Sequence, residues 1–333
     1  MGTGLDGIGV VVIGRNEGPD LARCLGALPR GAVPVVYVDS GSTDGSPALA
    51  RSLGVDVVDL DPAIPFSAAR GRNEGAQHLL RAHPELRYLQ VVDGDTELSP
   101  GWLEAGAAAM AEDELLAAVG GRLRERDARS SLCKRAFDVE LETSSRQHTL
   151  GTAMYRFAAF REVGGFRSDL KAGEEPELCV RLRRAGWRVA RLDTPMGVHD
   201  VGPLRVGEWW QRCSRAGRAY AEGATIHGEG PEAHWSWEHK RALVGGVAVP
   251  AVALALAPVT LGATVVLLAA GGLVSWTRAY TAARKRAHEK GNAAAWATAC
   301  VVGRLAEGQG ALQFHRQRWL GGRAEAPAVR EAA

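Results

Sequence analysis

Two apolar runs of strand length each end in an acidic, glycine-containing turn. Val33–Val38 leads into Asp39-Ser40-Gly41-Ser42-Thr43-Asp44-Gly45, and Tyr88–Val92 leads into Asp93-Gly94-Asp95. Between and around them strand and helix signals alternate. Ile8–Ile13 is a β-branched run that stops at Gly14, and Pro19–Leu28 places Leu21, Leu25 and Leu28 at helical spacing behind a first-turn proline. Ser46–Leu53 and Ser67–Ala82 read as helices, Val55–Leu60 as a strand, and Ser99–Ala111 as a helix with Ser99 as N-cap and Pro100 at its first position. This order predicts an α/β fold: a Rossmann-like, mostly parallel sheet with helices on both faces. Ligands of such sheets lie beyond the carboxyl ends of the strands, so the two acidic turns should meet in one crevice. Past residue 115 the alternation weakens. Arg122–Thr149 is polar, Phe157–Val163 and Glu175–Ala185 read as helices, Arg188–Leu192 as a short strand, and Leu204–Glu222 as a helix of mixed aromatics and arginines.

A second constraint lies downstream. Ala242 to Thr277 is a run of 36 residues without a charge, against the roughly 20 apolar residues that span a bilayer. Pro250, Pro258 and several glycines interrupt it, while Lys240 and Arg241 precede it and Arg278, Arg284, Lys285 and Arg286 follow. Basic flanks on both sides favour a re-entrant helical hairpin, turning near Pro258-Val259-Thr260, with both ends cytoplasmic. One kinked span, or a buried or oligomeric helix pair, are the alternatives. Trp209, Trp210, Trp235 and Trp237 stand among arginines just before the run, a pairing suited to a membrane interface. The chain is thus expected to divide into residues 1–203, interfacial amphipathic helices over 204–241, the hydrophobic helical segment 242–277, and a basic helical tail over 278–333. Within the tail, Asn292–Phe314 is expected to lie along the surface. Met1–Gly9 is polar and reads as no secretory leader, and five scattered cysteines suit a reducing compartment. Net charge is +2, which gives no ground for nucleic-acid binding.

The acidic turns carry the chemistry. Asp93 and Asp95 can hold Mg²⁺ or Mn²⁺ from one side, the other ligands being phosphate oxygens. Asp39 ends its strand beside small residues, where a carboxylate can accept from a base or ribose. Arg70 and Arg72, near the start of a helix, have the bidentate geometry for a diphosphate. Glu174, Glu175 and Glu177 cluster at a helix start, where the dipole favours their charge and one can serve as general base. His199 is a candidate third metal ligand or phosphate contact.

Taken in order, Val11-Val12-Ile13-Gly14-Arg15-Asn16-Glu17, the Asp39 turn, Arg72-Asn73, Asp93-Gly94-Asp95, Gly164-Gly165-Phe166 and Gly173-Glu174-Glu175-Pro176-Glu177-Leu178 resemble the inverting family 2 glycosyltransferases of the GT-A fold, over about residues 8–200. The resemblance implies a nucleotide-sugar donor. Asp39, with Ser40 and Asp44, would hold the nucleotide, Arg72 would lie near it with Arg70 as helper, and Asp93 would face ribose and sugar. Glu174 would lie against the donor, Asp95 and His199 would bind the metal, and Glu175 would be the base. The family usually has Glu-Asp at this last pair, where this chain has Glu-Glu. Thr152 stands where relatives often carry an acidic residue. Processive members carry Q-x-x-R-W. Here Gln211 is followed by Arg212-Cys213-Ser214-Arg215, and Arg318-Trp319 has His315 in place of glutamine, so one sugar per encounter is expected. The expected partners are the donor, a membrane surface and an acceptor that a lipid could carry, with a homo-oligomer compatible. The rival readings are a nucleotidyltransferase, which would need a lysine in the loop after the first strand, and a non-catalytic membrane scaffold, which would not need the carboxylates.

Overall fold

The computed structural model describes residues 4–144, 152–230, 232–286 and 288–321. The chain forms two compact units, Met1–Pro203 and Leu204–Ala333. The first is built as β1 (Ile8–Gly14), α1 (Pro19–Ala27), β2 (Val35–Asp39), α2 (Ser46–Ser52), β3 (Asp56–Asp59), α3 (Ala68–Ala82), β4 (Tyr88–Asp93), β5 (Thr96–Leu98), α4 (Trp102–Glu112), β6 (Leu116–Glu125), α5 (Leu132–Ser144), β7 (Ala153–Arg156), α6 (Phe157–Glu162), α7 (Glu174–Arg184) and β8 (Arg188–His199). One eight-stranded sheet runs in the order β3-β2-β1-β4-β7-β6-β8-β5. Its first four strands are parallel, as expected. Beyond β4 it is mixed: β7 is antiparallel to β4 and β6, β8 is parallel to β6, and β5 is antiparallel to β8.

Period-two alternation puts Val11 and Ile13 of β1 on one face, and Ile8, Val10 and Val12 on the other. The first face is covered by α3 and α7 through Ala69, Ala76, Leu79, Leu178 and Leu182, and the second by α1 and α4 through Leu21, Leu25, Trp102 and Met110. Each of the fully buried leucine and methionine side chains among them contributes about 1.5–3 kcal/mol. Helix α3 lies very close to the sheet. A Cβ on Gly75 would stand 2.5 Å from Val11 Cγ1 and 2.9 Å from Val38 Cγ2. That approach sets Arg72, one turn earlier, over the strand ends.

Ser99 does not cap α4. Its N–H donates to Met196 O, and Gly101, in the left-handed region at φ 80°, is the cap. Of the polar segment 122–149 the structure describes α5 up to Ser144, and Gly151 lies outside the described residues. Thr152 is buried just before β7.

The second unit is helical: α8 (Val206–His227), α9 (Ser236–Leu243), a π-helical turn (Val244–Ala248), α10 (Val249–Leu256), α11 (Ala263–Lys285) and α12 (Lys290–Leu320). Pro250 sits in the first turn of α10, and the preceding π turn accommodates the proline's missing N–H. Helix α12 is this unit's centre, contrary to the expected surface helix. Ala293, Ala297, Ala306 and Ala311 are buried, and a Cβ on Gly217 of α8 would overlap the Glu307 backbone. Small residues let these helices approach, which is why their apolar period is weak in the sequence.

Candidate active site

The register fixes the centre of the crevice. Gly14 at the end of β1 pairs with Asp39 of β2, and Ile13 pairs with Asp93 of β4, so both acidic turns flank the end of one strand. Glu17 fills the space between. A Cβ on Gly14, at the end of β1, would lie 2.7 Å from Glu17 Cγ, and one on Gly94, in the second acidic turn, would lie 2.8 Å from it, so a side chain at either position would displace Glu17. Glu17 accepts from Arg15 N at 3.1 Å. Burial raises its carboxyl to about 6 against that bond, with Asp95, Asp93 and Asp44 adding.

The Asp39 turn organises itself. Asp39 is 3% exposed and accepts from Tyr37 Oη at 3.0 Å, Gly41 N at 2.9 Å and Ser42 N at 2.7 Å. Ser40 N donates to Gly14 O, and Thr43 N to Asn16 Oδ1 at 2.7 Å. Asp44 accepts from both Ser46 Oγ and Ser46 N, and these bonds hold its carboxyl below the usual range. The loop is a rigid cradle of small residues at the mouth of the crevice.

The two arginines of α3 differ. Arg70 donates to Asp61 O at 3.0 Å, to Ile64 O at 2.7 Å and to Glu74 Oε1 at 2.6 Å, so its guanidinium fastens the loop before α3. Arg72 is 2% exposed and bridges the crevice. Its Nη2 lies 2.9 Å from Asp93 Oδ1, while Nη1 lies 2.9 Å from Glu174 Oε1 and 2.8 Å from Glu175 Oε1. Burial alone would lower its pKa, but Glu175, Asp93 and Glu174 outweigh that and raise it. Glu175 goes the other way. Burial first, then Glu174, raise its carboxyl to about 7 against the pull of Arg72.

Helix α7 carries both glutamates in its first turn, behind Gly173 at φ 85°. That helix is tied to the 163–166 turn, and that turn to α3. Arg181 joins Glu177 to the carbonyls of Val163 and Gly165. Asn73 donates to Phe166 O at 2.7 Å and accepts from Phe166 N at 2.9 Å. The Gly164-Gly165-Phe166 turn and the Asn that follows Arg72 therefore serve one another, and neither had an assigned role in the sequence.

Asp95 and His199 meet through pairing of β5 with β8, which sets Thr96 opposite His199. His199 Nε2 lies 3.3 Å from Asp95 Oδ2, and its Nδ1 lies 3.4 Å from Glu125 Oε2. Glu125 is buried at the end of β6, beside Lys134 at 3.0 Å. Burial lowers the His199 pKa, but Glu125 and Asp95 outweigh it and the net shift is upward. Burial also raises Asp95, to about 6. Glu125 was not a sequence candidate. It ends β6 behind Arg122 and Arg124, so the apolar-run-to-carboxylate signal that marks Asp39 and Asp93 is missing. Among the described residues no group of three or more His, Cys, Asp and Glu side chains is placed to hold a metal alone. An imidazole and a carboxylate side by side, the imidazole backed by a second carboxylate, do fit a divalent ion completed by oxygens of a ligand.

No curated protein sequence matches the chain. The mannosyltransferase PcManGT from Pyrobaculum calidifontis, solved with GDP-Man and Mn²⁺, superposes with a TM-score of 0.58 at 20% identity, over 88% of this chain and 86% of that chain, and so shares the fold. S. aureus TarS, residues 1–349, gives 0.46 at 14% identity over 96% and 93% of the two chains. Glucosyl-3-phosphoglycerate synthase from Mycobacterium tuberculosis, solved with Mn²⁺, UDP and glucosyl-3-phosphoglycerate, gives 0.47 at 17% identity over 66% and 80%. The model of glycosyl transferase family 2 matches residues 9–165, from β1 through the Asp39 turn, Arg72 and Asp93-Gly94-Asp95 to Gly165. Residues 9–165 of the first unit are thus similar to the family 2 glycosyltransferases, and the unit has the GT-A fold.

Proposed function

We propose that the chain transfers a single sugar, with inversion, from a nucleoside-diphosphate donor to an acceptor hydroxyl at a membrane surface. Arg72 carries the reading: one guanidinium joins the donor-side carboxylate Asp93 to Glu174 and Glu175. That link keeps the base beside the place where the sugar must lie. Asp39, Ser40 and Asp44 line the nucleotide cradle, and Arg70 supports it by holding the loop before α3.

Asp95 and His199 would hold Mg²⁺ or Mn²⁺, with Glu125 orienting the imidazole. When bound, the ion neutralises charge that develops on the diphosphate leaving group. PcManGT, which shares the fold, was solved with Mn²⁺ and a nucleotide sugar, and this is consistent with the assignment. Glu175 takes the proton from the acceptor hydroxyl as that oxygen attacks the anomeric carbon from the face opposite the diphosphate. One displacement inverts the configuration. The catalytic unit lies on the cytoplasmic side, and a lipid-linked acceptor accounts for an apolar unit following the catalytic one.

The test is calorimetric binding of UDP, GDP and dTDP with and without Mn²⁺. Metal-dependent binding of one nucleotide, lost in Asp95→Ala, is the expected result. A folded protein that binds none of them overturns the reading.

A further inference from the structure

The hydrophobic hairpin of the second unit has a charged floor. Arg304 of α12 lies beneath it. The Arg304 Cδ is 3.8 Å from where a Cβ would sit on Gly245, its carbonyl adjoins Gly246, and its Nη1 reaches Ser275 Oγ at 3.5 Å. A guanidinium is costly in hydrocarbon, so an apolar medium must stop above this residue. From there one leg runs from Gly246 to Leu256 and the other from Ala263 to Val274. At about 1.5 Å per residue, legs of 11 and 12 residues reach about 16–18 Å. A hydrocarbon core is about 30 Å thick. By length and composition alone Ser236–Leu256 would suffice to cross a membrane, but the Arg304 contact falls at the middle of that helix.

Above the floor the legs are bare. Val252, Leu254, Val266 and Leu267 are exposed, and the turn residues Val259 and Leu261 are 82% and 96% exposed. Within α10 Ala253 is the buried residue. The exposure includes the tip and both legs, whereas a protein partner would cover one face. Both threonine hydroxyls and several N–H groups of the turn are closed internally. Thr260 Oγ1 donates to Leu256 O at 2.9 Å and Thr264 Oγ1 to Ala253 O at 2.7 Å, while Thr260 N bonds Leu256 O and Gly262 N bonds Ala257 O. Hydrocarbon demands this closure and water does not. Exposed Lys240 and Arg278 stand within two helical turns of the leg bases, and exposed Arg284 and Lys285 and the 72%-exposed Trp237 lie about two to three turns below them. Such cations attract anionic headgroups, and tryptophan favours the interface.

We infer that residues 246–274 are a re-entrant anchor that enters one leaflet of an anionic bilayer, ends near the midplane at Leu261, and returns to the side it came from. The inference rests on the membrane reading above and adds a depth to it. The experiment uses the full chain with Cys133, Cys213 and Cys300 changed to Ser, and Leu261→Cys carrying an environment-sensitive fluorophore. Phosphatidylcholine vesicles with and without about 30% phosphatidylglycerol serve as the lipid. The protein is expected to float with the anionic vesicles, and less with the neutral ones. The fluorophore is expected to be quenched more by a nitroxide at the acyl-chain end than by one on the headgroup. Val259→Asp with Leu261→Asp should lower the bound fraction roughly tenfold while leaving nucleotide binding unchanged. Failure to float overturns the membrane reading. Flotation with stronger headgroup quenching leaves that reading standing and overturns the single-leaflet depth.

Discussion

Arg72 Nη2 stands 2.9 Å from Asp93 Oδ1, and the same guanidinium holds both glutamates that open α7. The arginine side chain is 3% exposed and those of Glu174 and Glu175 are 10% and 18%, so the guanidinium and the glutamates are shielded from solvent, while Asp93, at 35%, stays open to it. Removing one partner of a buried ion pair costs about 3–5 kcal/mol, because the remaining charges stay buried and unpaired. Arg72→Ala should therefore lower the melting temperature steeply and abolish transfer. Arg72→Lys keeps the charge but cannot reach Asp93 and the glutamates together. It should fold, bind nucleotide and lose roughly 100-fold or more in kcat, in line with the penalty for misplaced catalytic groups. Calorimetry and initial rates separate the two outcomes. A Lys variant with native kcat would remove the bridge from the mechanism.

Glu175 gives a pH prediction with two signs. Its carboxyl is raised to about 7, and a general base must be ionised. The rate should fall tenfold per unit as pH drops below about 7. Stability runs oppositely. A carboxyl whose folded pKa is raised contributes stability that is fully present below its unfolded pKa of about 4.3 and is lost as pH rises through the folded value. Glu175→Gln should thus be inactive, yet more stable than the parent at pH 8 by on the order of 1–3 kcal/mol, the gain vanishing near pH 4. Denaturant midpoints at the two pH values decide it.

The parallel half of the sheet was legible because each strand is short, apolar and stopped by a glycine or an acidic turn. The rest was not. Strand β8 carries four arginine, aspartate and proline positions between Arg188 and Pro195 and has largely half-exposed residues, so only its first five residues read as strand. Its last residue, His199, meets Glu125, 74 residues away, through a β6–β8 pairing that no local pattern encodes. The Asp39 and Asp93 turns, Arg72 and Glu175 could be singled out because their neighbours are unusual. Glu125 and Asn73 could not, since their partners are distant in the chain.

The Glu125–His199 contact predicts a metal effect. Glu125 fixes the imidazole so that Nε2 faces Asp95. Loss of such a supporting carboxylate typically lowers metal affinity about 10–100-fold. Glu125→Gln should weaken Mn²⁺ binding by that factor in the presence of the nucleoside diphosphate, measured by Mn²⁺ titration. The imidazole of the variant should also titrate at lower pH, since Glu125 is the largest of the influences raising it, ahead of Asp95 and Asp93. Unchanged Mn²⁺ affinity would assign Glu125 to packing with Lys134 alone.

Gly94 is constrained by a contact rather than by its backbone. A Cβ there would meet Glu17 Cγ at 2.8 Å and Ile13 O at 3.2 Å. Glu17 is a flexible side chain, whereas Ile13 O belongs to the central strand. Gly94→Ala should therefore push Glu17 aside first. The cost is expected at about 1–3 kcal/mol, the range for overpacking a filled site. Shortening the neighbour relieves the larger clash, so Glu17→Ala combined with Gly94→Ala should be less destabilised than the sum of the single changes by about 0.5–3 kcal/mol. Additive losses would place the strain at Ile13 O instead. Nucleotide binding distinguishes the roles: if it follows stability through the cycle, Glu17 is a spacer between the two acidic turns, and if it stays low in the double variant, the Glu17 carboxylate itself faces the donor.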